Sequence, residues 1–83
     1  MVYYVYVLKN TNKSKLTTYV GYTKDLKNRL KLHNEGIGAK FTRGRKWKIM
    51  YFEKYSTKEE AISREYYIKK NRKVRNQIKD KFK

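Results

Sequence analysis

The sequence predicts an α+β domain in which a small sheet is flanked by helices. Three segments rich in β-branched and aromatic residues predict strands at about residues 2–9, 17–22 and 47–55. Capping residues and the helical spacing of apolar side chains predict helices at about residues 24–34, 57–70 and 72–81. A chain of 83 residues has room for one core, so we expect a single domain over residues 1–83.

The first strand is predicted to be the central one. Residues 2–8 read VYYVYVL, and such an unbroken apolar and aromatic run is typical of a strand covered on both faces. The polar residues 9–15 favour a loop, after which residues 17–22 regain β character. We therefore expect a hairpin with a long loop, in which the two Tyr-rich strands are neighbours.

The first helix is predicted from its cap and its apolar stripe. Thr23 or Asp25 can cap it, and Leu26 and Leu30 form the stripe. The segment that follows, residues 36–46, contains three glycines and four cationic side chains. We expect this segment to be a flexible, positively charged loop that can follow a phosphate backbone.

The last two helices follow the third strand directly. Two capping-box registers are open at the start of the second helix: Ser56 with Glu59, and Thr57 with Glu60. Further on, Val74, Ile78 and Phe82 recur at intervals of four residues. This spacing predicts a final helix with one apolar face.

The charge of the chain indicates a polyanionic partner. Lys and Arg number 23 against 7 Asp and Glu, a formal net charge of +16, and self-repulsion of this size destabilises a compact monomer unless a polyanion neutralises it. We expect DNA as the partner, with RNA as the alternative. Nine side chains are candidates for contacts with the phosphate backbone: Lys40, Arg43, Arg45, Lys46, Lys69, Lys70, Arg72, Lys73 and Arg75.

The composition also excludes several classes of protein. The sequence contains no cysteine, which excludes disulfides and Cys-ligated zinc and leaves oxygen-ligated metals. The apolar run at residues 2–8 is too short to span a bilayer and has no cleavage site after it. We therefore expect a cytoplasmic monomer that does not bind membranes.

One carboxylate is predicted to lie inside an apolar stripe. On a helical wheel Glu65 falls between Ile62 and Ile68. Burial of an unpaired charge costs several kcal/mol, so this position needs a basic side chain or a metal ion beside it. Lys69, four residues on, is one basic partner, and Arg29, which borders the apolar stripe of the first helix, is another.

The order of these residues resembles the signature of the GIY-YIG nuclease superfamily. The resemblance rests on four segments: Tyr4-Val5-Tyr6, Tyr19-Val20-Gly21, a helix with Arg29 and His33, and Arg64-Glu65. It is strongest toward the small stand-alone bacterial members and extends to the N-terminal nuclease domain of the nucleotide-excision-repair endonuclease. It implies a three-stranded antiparallel sheet flanked by about three helices.

The resemblance also implies a set of site residues. Tyr6 and Tyr19 match the two active-site tyrosines of the family, Arg29 its helix arginine, His33 a frequently found histidine, and Glu65 its metal-binding glutamate. The chain departs from the family pattern at Tyr4, Val5 and Val20, and has Tyr22 where a lysine often follows the second motif; Asn71 and Asn76 both compete for the position of a later family asparagine. Gly21 either permits close approach of backbone or substrate beside Tyr19 or forms a bulge at the end of the strand.

The implied activity is metal-dependent hydrolysis of DNA, with selectivity for branched or damaged DNA in repair or recombination and with a protein partner that could supply specificity. Tyr19, with or without Tyr6, would position or deprotonate the water, Arg29 would contact the phosphate, and Glu65 would hold one Mg²⁺ or Mn²⁺. The alternative is a non-catalytic module that stacks single-stranded DNA or RNA on a Tyr-rich sheet. That alternative explains the charge and the aromatic residues, but not the placement of Glu65 and Arg29 on apolar faces.

Overall fold

Three strands and three helices follow one another in the computed structural model, which describes residues 1–12 and 15–82. The elements are β1 (Tyr3–Asn12), β2 (Lys15–Thr23), α1 (Leu26–Asn34), a 3-10 turn (Lys40–Thr42), β3 (Lys48–Tyr55), α2 (Lys58–Lys70) and α3 (Arg72–Phe82). The strands form one antiparallel sheet in the order β2-β1-β3. The predicted α+β class is therefore confirmed, and β1 is the central strand.

The first hairpin is longer than predicted. Pairing between β1 and β2 continues from Tyr4 opposite Thr23 to Asn12 opposite Lys15, so the predicted loop over residues 9–15 is wrong for the part that the structure describes. Residues 13 and 14 lie outside the described residues. Asn10 shows why the strand continues: its buried side chain donates a hydrogen bond to the Lys46 carbonyl at 2.6 Å, which gives a polar residue a partner inside the sheet.

The central strand is covered on both faces, as its composition predicts. Val5 and Val7 belong to a cluster completed by residues of β2, β3, α2 and α3: Val20, Met50, Ala61, Ile68 and Ile78. Tyr6 and Leu8 belong to a second cluster with the buried Trp47, against which Leu26 and Leu30 of α1 pack. Because successive side chains alternate between the faces of a strand, this division places Tyr6 on the α1 side of the sheet.

The open choices between capping residues are decided by local hydrogen bonds. The Asp25 side chain caps α1 by accepting from the backbone amide three residues on, at 3.0 Å. Thr57 caps α2 by accepting from the Glu60 amide at 3.2 Å, which is the later of the two registers. Asn71 ends α2 and also accepts from the Val74 amide at 3.1 Å, so it serves both helices.

A partly buried ionic network joins α2 to β3. The Glu53 carboxylate accepts from Arg64 through Nε at 2.9 Å and Nη2 at 3.0 Å, and from the hydroxyls of Tyr51 at 2.5 Å and Tyr55 at 2.6 Å. Burial alone would raise the pKa of Glu53, but the hydrogen bonds from Arg64, Tyr51 and Tyr55 and the charge of Arg64 outweigh burial and lower this pKa. The network therefore requires the ionised carboxylate.

Across residues 1–12 and 15–82, none of the helices has the length and the apolar composition that crossing a bilayer requires.

Replacement of Glu53 by glutamine tests this network. We expect Glu53→Gln to lower the free energy of unfolding at pH 7 by about 1–3 kcal/mol, because a charge-assisted pair becomes a neutral one. The native pKa of Glu53 is depressed, so its contribution is present at neutral pH and is lost as the pH falls below about 4. Urea unfolding should show a smaller difference between variant and parent at pH 3 than at pH 7.

Glu59→Gln is the matched control, since Glu59 is exposed in the first turn of α2, the helix that the network joins to β3. Equal stability of Glu53→Gln and the parent at pH 7 would contradict the assignment.

Candidate active site

A cleft of about 490 Å³ opens where β1, β2, α1 and the first half of α2 meet. Six residues singled out by the sequence line it together: Tyr6, Tyr19, Gly21, Arg29, His33 and Glu65. They come from four elements, so only the fold brings them into one concave surface. Their placement agrees with the site predicted from the resemblance, and their catalytic roles stay predictions.

A chain of hydrogen bonds runs from the cleft into the interior. The Tyr6 hydroxyl lies 2.9 Å from His33 Nε2, and His33 Nδ1 lies 2.8 Å from the Thr42 hydroxyl oxygen. Thr42 donates its one hydroxyl proton to the Ala39 carbonyl at 2.9 Å, so towards the ring it must accept from Nδ1–H. A neutral imidazole protonated at Nδ1 offers Nε2 as an acceptor. Tyr6 therefore donates to His33.

The surroundings keep both rings of this chain neutral at rest. Burial, assisted by the nearby charge of Arg29, lowers the pKa of His33, so the imidazole carries no charge at neutral pH. Burial is also the main cause of the raised pKa of Tyr6. Tyr19 and Glu65 add to this rise, and Arg29 opposes it. The Tyr6 phenol accordingly keeps its proton, with a neutral acceptor in contact.

Two glycines make room for this pair of rings. Gly21 lies opposite Tyr6 in the β1–β2 ladder, and a Cβ added there would lie 2.5 Å from the Tyr6 hydroxyl oxygen. A Cβ added at Gly38 would lie 2.5 Å from His33 Nδ1. Pairing with β1 is continuous at Gly21, so the alternative of a bulge is wrong; the group in close approach is a side chain, where backbone or substrate was expected. The approaching group is the Tyr6 ring.

Glu65 lies at the border between core and cleft. Its side chain is 16% exposed, and its Oε2 lies 3.3 Å from Lys69 Nζ, so the pair predicted along the helix is formed. Ile68 beside it is fully buried, whereas Ile62 on the other side is exposed, so the predicted apolar stripe holds only in part. Among the described residues, Glu65 pairs with Lys69 and not with Arg29, although Arg29 lines the same cleft.

The donor set fits a hydrated divalent cation held by few protein ligands. The described residues contain no group of three or more His, Cys, Asp or Glu that could hold a metal ion. Glu65 supplies an oxygen of the kind that Mg²⁺ prefers, and the other carboxylate in the lining, Asp25, is committed to the cap of α1. Six water molecules need about 180 Å³ at liquid density, which the cleft can hold.

Two lysines in the cleft escaped sequence reasoning. Lys24 follows β2 and Lys58 begins α2, and both line the cleft, as does Tyr22 at the position where the family often has lysine. No motif marks either lysine, because 23 basic residues surround them in the sequence. Asn71 and Asn76, the two competing asparagines, are not part of the described lining.

The nine predicted phosphate contacts lie outside the cleft. Eight of them are exposed: Lys40, Arg43, Arg45, Lys46, Lys69, Lys70, Arg72 and Lys73. Arg75 is half-buried and donates to the carbonyls of Ile68, at 3.1 Å, and of Lys69, so it closes the C-terminal end of α2. The positive loop is also anchored, since Thr42 within it is fully buried against His33.

Comparison with known proteins places the chain in a family. A model of the GIY-YIG catalytic domain matches residues 2–79. The UPF0213 protein CPE1444 of Clostridium perfringens is 54% identical over 68 residues, which are 81% of this chain and 70% of that protein. A UPF0213 protein of Bacillus licheniformis is 49% identical over 69 residues, 82% of this chain and 68% of that protein.

A solved structure shows the same fold. The match is to the solution NMR structure of the UPF0213 protein BH0048 from Bacillus halodurans. It covers 96% of this chain and 84% of that protein's chain, with 36% sequence identity and a TM-score of 0.56. The family model spans nearly the whole described chain, and the family comprises nucleases that act on DNA and generally depend on divalent metal. The chain belongs to the GIY-YIG catalytic domain family.

Proposed function

We propose that this protein is an endonuclease that hydrolyses DNA phosphodiester bonds with the help of Mg²⁺ or Mn²⁺. The observation that carries the proposal is the convergence of Tyr6, Tyr19, Arg29, His33 and Glu65 on one cleft. Membership of a nuclease family supports the reaction class, and the net charge of +16 supports a phosphate backbone as substrate.

Tyr6 and His33 together would accept the proton of the attacking water. Tyr6 donates its hydroxyl proton to Nε2 of a neutral His33, so this proton can pass to the imidazole as the phenol oxygen takes one from water. The relay avoids a resting phenolate, which the raised pKa of Tyr6 disfavours. The bond to His33 thus favours Tyr6 over Tyr19 as the base. Tyr19, whose ring centroid lies 5.0 Å from that of His33, would orient the water.

The developing negative charge would be stabilised from the α1 and α2 sides of the cleft. Arg29 would donate to the non-bridging phosphoryl oxygens, and Lys24 and Lys58 add positive charge to the same lining. Glu65 would hold the divalent ion, which would supply positive charge to stabilise the reacting phosphate. We propose further that the enzyme is selective for branched or damaged DNA in repair or recombination. We also propose that it is located in the cytoplasm and that a protein partner gives it specificity.

The second candidate function is a non-catalytic module for single-stranded DNA or RNA. One observation favours it: Phe41 is half exposed on the basic loop and stacks on Tyr19, as in surfaces that bind single strands. It leaves unexplained why a histidine relay and a metal-binding carboxylate share a cleft. Tight, salt-dependent binding without cleavage of any substrate would favour this function over the nuclease.

Cleavage assays with point variants test the catalytic assignment. We expect metal-dependent cleavage of labelled duplex, single-stranded, flap or four-way-junction DNA, lost in Glu65→Gln because the ion loses its protein ligand. Arg29→Ala should lower the rate by about 10²–10³-fold while binding is largely kept, since it acts on transition-state charge. Glu59→Gln, an exposed change on the same helix, is the control. Unchanged cleavage in Glu65→Gln would contradict the site.

The single histidine of the chain allows the relay to be tested without activity. Nitrogen-15 NMR of His33 should show the neutral tautomer protonated at Nδ1, with a titration midpoint below its ordinary pKa of about 6.5. Thr42→Val removes the acceptor at Nδ1 with little change in shape, and should shift the tautomer balance. A dominant Nε2-protonated ring in the parent protein would refute the relay.

The same relay predicts a pH profile and a steric effect. Because His33 must be neutral to accept a proton, the cleavage rate should fall as the pH drops through its lowered pKa and stay level around neutrality. Gly21→Ala should displace the Tyr6 ring and slow cleavage by about 10²–10⁴-fold, close to Tyr6→Phe, which removes the proton carrier. A Gly21→Ala variant with parental activity would contradict this packing.

The basic tail, defined as the cationic side chains from Lys69 to Lys73, should contribute to DNA affinity and not to the cleavage step. We expect the double variant Lys70→Ala, Lys73→Ala to weaken DNA binding and to reduce the slope of log K against log salt by about 1–2, since each lost phosphate contact contributes about 0.9. The maximal cleavage rate at saturating DNA should change little. Lys54→Ala, an exposed lysine on β3, is the control, and an unchanged salt slope in the double variant would disprove the tail contacts.

A further inference from the structure

A second groove lies beside the catalytic cleft and takes no part in the mechanism above. Its volume is about 310 Å³, and its lining consists of Thr18, Tyr19, Val20, Phe41, Lys69 and Arg75. Tyr19 lines both the groove and the cleft, so a ligand in the groove would lie next to the reacting phosphate. Among the described residues of this lining none is acidic, and Lys69 and Arg75 give the groove a positive charge.

The groove presents an aromatic surface. Phe41 is 50% exposed and stacks on Tyr19, with ring centroids 6.1 Å apart and planes inclined by 22°. The buried ring of Trp47 supports both rings from behind, at 6.1 Å from Phe41 and 6.5 Å from Tyr19. The fully buried Thr42 anchors the turn that carries Phe41. One exposed ring is ordinary, but a supported stack of rings is a surface on which a planar group can lie.

Two cationic groups lie over the rings of this stack. The guanidinium carbon of Arg45 lies 4.9 Å from the Phe41 ring centroid, and Lys69 Nζ lies 5.9 Å from the Tyr19 centroid. Lys69 also pairs with Glu65, which ties the groove to the proposed metal ligand. Aromatic rings bordered by Lys and Arg match the two parts of a nucleotide, because the rings can stack on the base while the cations contact its phosphate.

We infer that this groove binds an unpaired nucleotide of the DNA substrate, with its base stacked on Phe41, directly beside the phosphate that is cleaved. A base inside a duplex has both faces covered by its neighbours and cannot lie on a protein ring without being extruded. This inference rests on the proposed nuclease function and narrows its substrate to DNA with an unpaired nucleotide at the cleavage point, such as a flap, gap or junction.

Fluorescence of 2-aminopurine tests the stacking in the intact site. The Glu65→Gln variant, without added metal, is titrated with a flap DNA that carries 2-aminopurine at the unpaired position next to the branch, and with a matched full duplex. We expect quenching on binding of the flap and little change with the duplex, because only the unpaired base can stack. Equal signals from the two DNAs would overturn the inference.

Substitutions at Phe41 separate stacking from charge. Phe41→Ala, and also Phe41→Leu, which keeps an apolar side chain, should weaken flap binding by about 5- to 100-fold and duplex binding by less than about 2-fold. Phe41→Trp should restore flap binding. Phe52→Ala is the matched control, since Phe52 is 45% exposed but lines a different groove beside Tyr4.

The outcomes also separate this inference from the proposed function. If Phe41→Ala and Phe41→Leu both keep the flap preference of the parent protein, the nucleotide site is overturned. Loss of cleavage in Glu65→Gln alone would still support the nuclease function. If the parent protein binds flaps through Phe41 but cleaves no DNA, the groove is supported as a nucleotide site and the nuclease function is rejected. The nucleotide would then not lie beside a cleaved phosphate.

Discussion

The hydrogen-bonded chain from Tyr6 through His33 to Thr42 is the constraint on which the arrangement of the cleft depends. It joins the central strand, the end of α1 and the turn between α1 and β3. Each bond is made inside the protein, where an unmet donor or acceptor is costly, so the chain holds one tautomer and one ring orientation. The two glycines let the backbone approach the rings, since a Cβ at either position would lie 2.5 Å from Tyr6 or His33.

Two adjacent residues of α2 divide the tasks of anchoring the helix and completing the site. Arg64 binds Glu53 through two nitrogens and holds the helix on β3, while Glu65 lies at the cleft. The two carboxylates differ accordingly: Glu53 accepts four hydrogen bonds and is saturated, whereas Glu65 has one recorded ion pair, with Lys69. A saturated carboxylate stabilises structure, and a carboxylate that faces a cleft with one exchangeable partner can bind a cation.

The large positive charge acts at several distances from the site. Lys24 and Lys58 line the cleft, Arg45 and Lys69 border the neighbouring aromatic groove, and the basic residues of α3 lie further out. One basic residue has a structural task instead, since Arg75 donates to the carbonyls at the end of α2. Total charge thus indicates the partner, but the fold assigns each cation its task.

The element types were predictable because they depend on local patterns. The unbroken apolar run of β1 predicted its coverage on both faces, and the spacing of Leu26, Leu30 and Ile78 predicted helical faces that pack on the core. The family motifs located the residues that line the cleft. The loop predicted at the polar end of the first hairpin rested on turn preferences alone. That prediction was wrong, because cross-strand pairing outweighed turn preference.

Partner choice, in contrast, was decided by tertiary packing. Several contacts join residues that local patterns do not connect. They are Thr42 with His33, Gly38 with the imidazole, Lys24 and Lys58 in the cleft, and the bonds of Glu53. Periodicity specifies which face of an element is apolar, but a hydrogen bond or an ion pair requires two groups within about 3–4 Å. That distance is set only when the helices have packed on the sheet.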